Sequence, residues 1–271
     1  VMIWMLLIYF FILGLIVGSF LNVVILRLNT GKTVGGRSGC MSCRTQLTWR
    51  ELVPVFSFMF QRGRCKTCKV KLSWQYPLVE LGTGILFVLN LIHWIQVSGS
   101  IFEGALLTGI TTAIISVMVV IFGYDMRHKI IPDMLSFTVW GLSILYVIVS
   151  SRTCFVVSRY CYNTSKQAYG DIFFILYHIL AGLSFYVAVW LIWKVSKGRM
   201  IGLGDAKLLL SIGTVLGFTY GVSSIFISVW IATLYALFLL LKQYLSKKGK
   251  HITMKTEIPF GPFLIIGFLI V

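Results

Sequence analysis

Two sets of residues in this sequence have types and spacings that can do chemistry: a pair of aspartates and a quartet of cysteines. Only eight of the 271 residues are acidic, and two of these stand at the ends of long apolar runs. Asp125 closes one run, in Tyr124-Asp125-Met126-Arg127-His128-Lys129-Ile130-Ile131-Pro132-Asp133, and Asp205 opens another, in Gly202-Leu203-Gly204-Asp205-Ala206-Lys207. If both run ends lie at one face of a membrane, the carboxyl groups can meet at one depth although 80 positions separate them. Two carboxyls that close cannot both ionise cheaply, so they share a proton. One form can then deprotonate water while the other protonates a carbonyl oxygen, and the titrations belong to the pair. Gly202 and Gly204 lack a Cβ and let backbone and substrate approach closely, while a helix start at Asp205 favours negative charge. Pro132 fixes a turn. The same positions also suit ordinary interfacial carboxylates, with Asp205 as an N-cap, and GxGD alone is a short pattern.

The cysteines Cys40, Cys43, Cys65 and Cys68 form two CxxC pairs with 21 residues between them. Each pair can make a tight knuckle that presents two sulfurs to one ion, and four thiolates at this spacing suit tetrahedral zinc. Such a zinc would be structural, because four protein ligands leave no open position for substrate or water. Arg44, Arg64, Lys66 and Lys69 stand beside the ligands and offset their charge. The competing reading is redox-active or free cysteine. Binding the ion would supply folding free energy to a loop too small to build a core.

The elements that position these residues are apolar. Hydrophobic residues make up 58% of the chain, charged residues 12%, and the mean hydropathy is +0.91. A soluble domain is about half apolar and a quarter charged. Eight apolar runs can be read, at 2–25, 76–95, 105–124, 134–149, 172–193, 206–218, 222–241 and 258–271. Most are long enough to cross a hydrocarbon core of about 30 Å as helices; the sixth and eighth are shorter, and Gly217 and Gly221 stand where the sixth should end. The alternating strands of a membrane barrel are absent. The expected fold is an all-α polytopic membrane protein of about eight transmembrane helices. A small zinc-binding loop domain lies between helices 1 and 2.

With the first run entering from outside, 21 of the 24 Lys and Arg fall in loops on the cytoplasmic side, leaving Arg152, Arg159 and Lys166 outside. This positive-inside bias puts both aspartates and the cysteine loop at the cytoplasmic face, where a reducing compartment favours metal over disulfide. It also explains the net charge of +16 without nucleic acid. The basic loops are expected to meet anionic headgroups. The first run, which has no basic leader, reads as an uncleaved anchor. Segment boundaries are 1–26 for the first helix, 27–75 for the tetracysteine loop and 76–271 for the membrane-embedded core.

Other polar residues carry less. Asn22 and Glu80 suit either helix packing or contact with a substrate or cofactor, and Lys207 suits a carboxylate or a headgroup. His93, His128, His178 and His251 have no ligand spacing. Cys154 and Cys161, on the outer side, either pair or stay free. No internal repeat stands out and the acidic residues cluster at membrane edges, which disfavours a transporter.

Taken together the motifs resemble the type IV prepilin peptidases (leader peptidase/N-methyltransferase), the GxGD aspartic proteases of bacterial inner membranes. The resemblance rests on Gly18-Ser19-Phe20-Leu21-Asn22-Val23-Val24, the two CxxC knuckles, Tyr76-Pro77-Leu78-Val79-Glu80, Asp125 with Ile131-Pro132-Asp133, Gly202-Leu203-Gly204-Asp205-Ala206-Lys207, and Pro259-Phe260-Gly261-Pro262. These occur in family order over nearly the whole chain. It implies that Asp125 and Asp205 are catalytic, with Gly202 and Gly204 positioning the motif. The substrates implied are prepilins or type II secretion pseudopilins, cut after a Gly behind a short basic leader on the cytoplasmic side. Members with the cysteine loop are commonly bifunctional, methylating the new N-terminus with S-adenosylmethionine. No strand-plus-glycine dinucleotide fingerprint is present, so the residues that hold this cofactor are not assigned. The opposing hypothesis is a non-enzymatic membrane scaffold whose zinc loop docks a pilus or secretion machine.

Overall fold

The computed structural model describes residues 2–31, 33, 35–98, 100–157, 167–245 and 259–271, and their side chains except 153–157, 167–170, 244 and 245. Among the described residues the chain is all-helical, with no strand. In hydrocarbon every backbone N–H and C=O must bond internally, and helices achieve this within one segment. The elements are α1 (Met2–Arg27), a 3-10 turn (Trp49–Glu51), α2 (Phe56–Phe60), α3 (Gln75–Val97), α4 (Ile101–His128), α5 (Asp133–Val157), α6 (Gln167–Ser196), α7 (Leu203–Leu245) and α8 (Gly261–Ile270). Six stretches are long and apolar enough to cross a bilayer: α1, α3, α4, and most of α5, α6 and α7. The expected runs at 206–218 and 222–241 are joined in α7, which Gly217 interrupts with φ 72° and ψ −175°. The last run appears as α8, a helix of 10 residues. The two sulfurs of Cys154 and Cys161 lie outside the described residues.

The backbone divides into two compact units, residues 1–123 and 124–271. In the first, small residues let α1 and α3 touch backbone to backbone. A Cβ placed on Gly14 would stand 2.6 Å from the Gly84 Cα, and one on Gly18 2.8 Å from the Glu80 Cα. Close approach of this kind is how helices associate in lipid, where burial gives no drive. Polar side chains add to it: Asn22 Nδ2 donates to the Tyr76 carbonyl at 3.2 Å, and Asn90 Nδ2 to Thr112 Oγ1 at 3.0 Å.

The second unit holds the end of α4 and helices α5–α8. Its buried layer includes Val139, Leu208, Ile212 and Leu264. The interruption in α7 is matched by α6. Without a helical Gly217, the Phe218 N–H and the Thr214 carbonyl no longer meet as an i→i−4 pair. Instead Phe218 N–H donates to the Tyr177 hydroxyl at 3.2 Å, and the Thr214 carbonyl lies 3.0 Å from His178 Nδ1, which must be the protonated nitrogen. His178, incidental by sequence spacing, thus satisfies a helix break.

Candidate functional site

The aspartate site is assembled from three segments of the second unit. Asp125 lies in the last turn of α4, which closes with Lys129 N–H donating to the Asp125 carbonyl at 2.8 Å and Lys129 at φ 55°. Asp205 lies in the first turn of α7. The two carboxylates are close enough to interact electrostatically. Asp125 is 3% exposed, whereas Asp205 is half-buried. Each has a glycine backbone N–H beside it: Gly261, at the start of α8, by Asp125, and Gly202 by Asp205.

Glycine is needed here for space. A Cβ on Gly261 would stand 2.7 Å from Asp125 Oδ2 and 3.0 Å from Ile131 Cδ1, and one on Gly204 would stand 2.9 Å from Ile131 Cβ. Ile131, 7% exposed, therefore fills the space between the two glycine backbones. Gly202 is looser, since its Cβ would meet only Asp205 Oδ2, at 3.5 Å. Beyond the site, Lys207 Nζ pairs with Asp133 Oδ1 at 2.6 Å, tying the starts of α7 and α5. Sequence reading placed Asp125, Asp205, Gly202 and Gly204 at one site, and the geometry brings them together. It gave no role to Gly261; the only signal was the Pro259-Phe260-Gly261-Pro262 motif.

The four cysteines gather in the first unit, with ligand atoms all within 4.8 Å of one another. Cys40 Sγ and Cys68 Sγ are 3.8 Å apart, matching the edge of a sulfur tetrahedron built on metal–sulfur bonds of about 2.3 Å. The knuckles are structural copies. Cys40 N–H donates to the Thr45 carbonyl and Arg44 N–H to the Cys40 carbonyl, while Cys65 N–H donates to the Val70 carbonyl and Lys69 N–H to the Cys65 carbonyl. Arg44 and Lys69 both have φ 58°. Bridges Gly39–Gln46 and Arg64–Lys71 close the two copies, a short duplication that sequence reading did not detect.

The thiols are electrostatically unequal. Hydrogen bonds with Thr45 hold Cys43 down at about 6, and the Cys68 and Thr67 backbone bonds lower Cys65. A Val70 backbone bond pulls Cys68 down, but burial and the neighbouring sulfurs outweigh it and carry it up to about 11. Four crowded thiols cannot all ionise without a cation among them. The cluster is thus a site that can bind a soft divalent metal such as zinc.

Residues 12–94 match the family model described as the bacterial peptidase A24 N-terminal domain, and residues 112–237 match that of the type IV leader peptidase family. The chain belongs to this family. The first match contains the four cysteines. The second contains both aspartates but ends before Gly261, so α8 lies beyond the matched stretch. A Myxococcus xanthus relative is 33% identical over 77% of this chain and 56% of its own length. A Bacillus subtilis relative is 28% identical over 96% of this chain and 91% of its own. One from Dickeya chrysanthemi is 29% identical over 94% and 88%. All three are named prepilin leader peptidase/N-methyltransferase. This chain therefore spans about half the length of the Myxococcus relative, and nearly all of the other two. No solved structure matches it.

Proposed function

We propose that this protein hydrolyses the leader peptide bond of prepilins or type II secretion pseudopilins with Asp125 and Asp205, and then N-methylates the new amino terminus. The observation that supports it most directly is the meeting of two carboxylates, each with a glycine N–H. In this reading one carboxylate takes a proton from water as its oxygen attacks the scissile carbonyl, while the other, protonated, donates to the carbonyl oxygen. Collapse of the tetrahedral intermediate breaks the C–N bond, and the amine leaves with a proton. The glycine N–H beside each carboxylate would help to orient it through both steps.

The methyl group would come from S-adenosylmethionine, whose sulfonium makes it electrophilic toward a neutral amine. A zinc held by Cys40, Cys43, Cys65 and Cys68 would keep the loop folded. The protein would sit in the bacterial inner membrane with both sites at the cytoplasmic face, the side on which 21 of 24 Lys and Arg fall. Its partners would be pilin-like precursors and membrane lipids.

The test is cleavage of a prepilin by wild type, Asp125→Asn and Asp205→Asn in liposomes, with mass spectrometry of the new N-terminus. Each single substitution is expected to lower cleavage by about 10³-fold. Cleavage at the wild-type rate by either variant would overturn the mechanism and bring forward the zinc-loop scaffold.

A further inference from the structure

The first unit contains a groove that neither the aspartates nor the cysteines use. It measures about 680 Å³ and is lined by Phe58 of α2, by Trp74 just before α3, and by Arg62, Arg64 and Lys71 of the second knuckle. That volume falls within the range of about 300–1,000 Å³ usual for small-ligand sites. Three cations face one cavity, and none of them makes an ion pair among the described residues.

The groove is shaped by unusual backbone. Val55, which also lines it, has φ 61° and ψ −52°, a conformation that is a genuine outlier for a β-branched residue. Its N–H is held at 2.7 Å by the carboxylate of Glu80, which is itself 7% exposed. A strained residue persists only where its surroundings over-determine it, and such residues cluster at ligand sites. Gly63, at φ 65°, lies flat against Phe58, and a Cβ there would stand 3.0 Å from the ring. The Phe58 and Trp74 rings are 5.0 Å apart, and Trp74 is 70% exposed. A large aromatic surface is thus left uncovered beside a cluster of unpaired cations.

We infer that this groove binds the adenosyl amino acid used in methyl transfer, its carboxylate on Arg62, Arg64 and Lys71 and its adenine against Trp74 and Phe58. The inference rests on the methyl-transfer half of the function proposed above. The fit lies in the donor set. Guanidinium groups recognise carboxylates in paired hydrogen bonds, and an exposed indole offers a stacking face that any purine can use. Glu80 acts here as a positioning residue, through the Val55 backbone.

The test is calorimetric titration of the full chain, in an uncharged detergent, with S-adenosylhomocysteine, which keeps the carboxylate and adenine and has no methyl to transfer. Wild type is expected to bind, and Arg64→Gln and Trp74→Ala each to weaken binding by about tenfold. Trp74→Phe, which keeps a ring, should stay within about threefold of wild type. Helical circular dichroism and gel filtration establish that the variants are folded. Repeating the titration in nanodiscs with and without phosphatidylglycerol separates the alternative occupant. Equal affinity in both supports the inference, whereas displacement by the anionic lipid makes the groove a headgroup site and overturns it. If wild type binds and the folded variants bind equally well, the cofactor site lies elsewhere and the inference fails alone. If wild type neither binds S-adenosylhomocysteine nor methylates a cleaved peptide, the methyl-transfer reading fails with it.

Discussion

In the cysteine loop, four ligand atoms come from two ten-residue stretches, 38–47 and 63–72, that fold locally and alike. At the aspartate site, two carboxylates come from segments far apart in the chain, and α8 supplies Gly261 from a third. The loop is organised by what its side chains can bind, the aspartate site by side chains that are missing. Cys40–Cys68 contact brings sulfurs together, whereas Gly204 and Gly261 let Ile131 and Asp125 close against bare backbone. Losing a ligand should therefore unfold the first region, and adding a single methyl should disable the second without unfolding it.

The sharpest way to break this comparison is charge removal. Asp125→Asn or Asp205→Asn should lower cleavage by about 10³-fold while leaving methylation of an already cleaved peptide near wild type. Loss of both activities would mean that the two regions do not work independently. Next comes the metal. Wild type should carry one zinc, and Cys40→Ser or Cys65→Ser should lose it and with it the folded loop. Metal analysis and limited proteolysis of the loop measure this, and a loop that stays protected without metal would refute it.

The glycines give a graded series. Gly261→Ala should cost about 10²-fold in cleavage, because its Cβ would displace the Asp125 carboxylate. Gly204→Ala should cost about tenfold, through Ile131, and Gly202→Ala only roughly threefold. Single-turnover cleavage measures the order, and a reversed order would show that space is not what these glycines provide. The smallest effect expected is at Glu51. The Thr48 N–H and hydroxyl hold its carboxylate below the usual 4.5. Because the folded value is depressed, its contribution is present above about pH 4.5 and lost as pH falls through the folded value. Glu51→Gln should therefore flatten the loop's acid sensitivity in that window, read by proteolysis against pH, and change nothing at pH 7 beyond the lost cap.

The ligand quartet was legible in the sequence because CxxC geometry is local and chemically explicit. The duplication around it was not, since the two copies share backbone bonds and φ values but few side chains beyond Cys and Leu. The aspartates could be read from their places at the ends of apolar runs, where charge is expensive enough to be noticed. Gly261 could not, because its role depends on where α8 lies in space, and a glycine in an apolar run looks ordinary. The runs were visible as hydrophobicity, and the break at Gly217 falls where the sixth run was expected to end, but hydrophobicity does not show that the two helical stretches meet there without a loop between them. His178 was unreadable for a related reason: its partner is a carbonyl freed by that break.

The groups parted at Gly217 are each other's natural partners. At the turn α6 supplies a substitute to each: the Tyr177 hydroxyl accepts from the Phe218 N–H, and His178 Nδ1 meets the Thr214 carbonyl. In a medium with no water to fill a vacancy, the bend at Gly217 is therefore sealed by two side chains of a neighbouring helix, and removing either would leave a backbone group stranded.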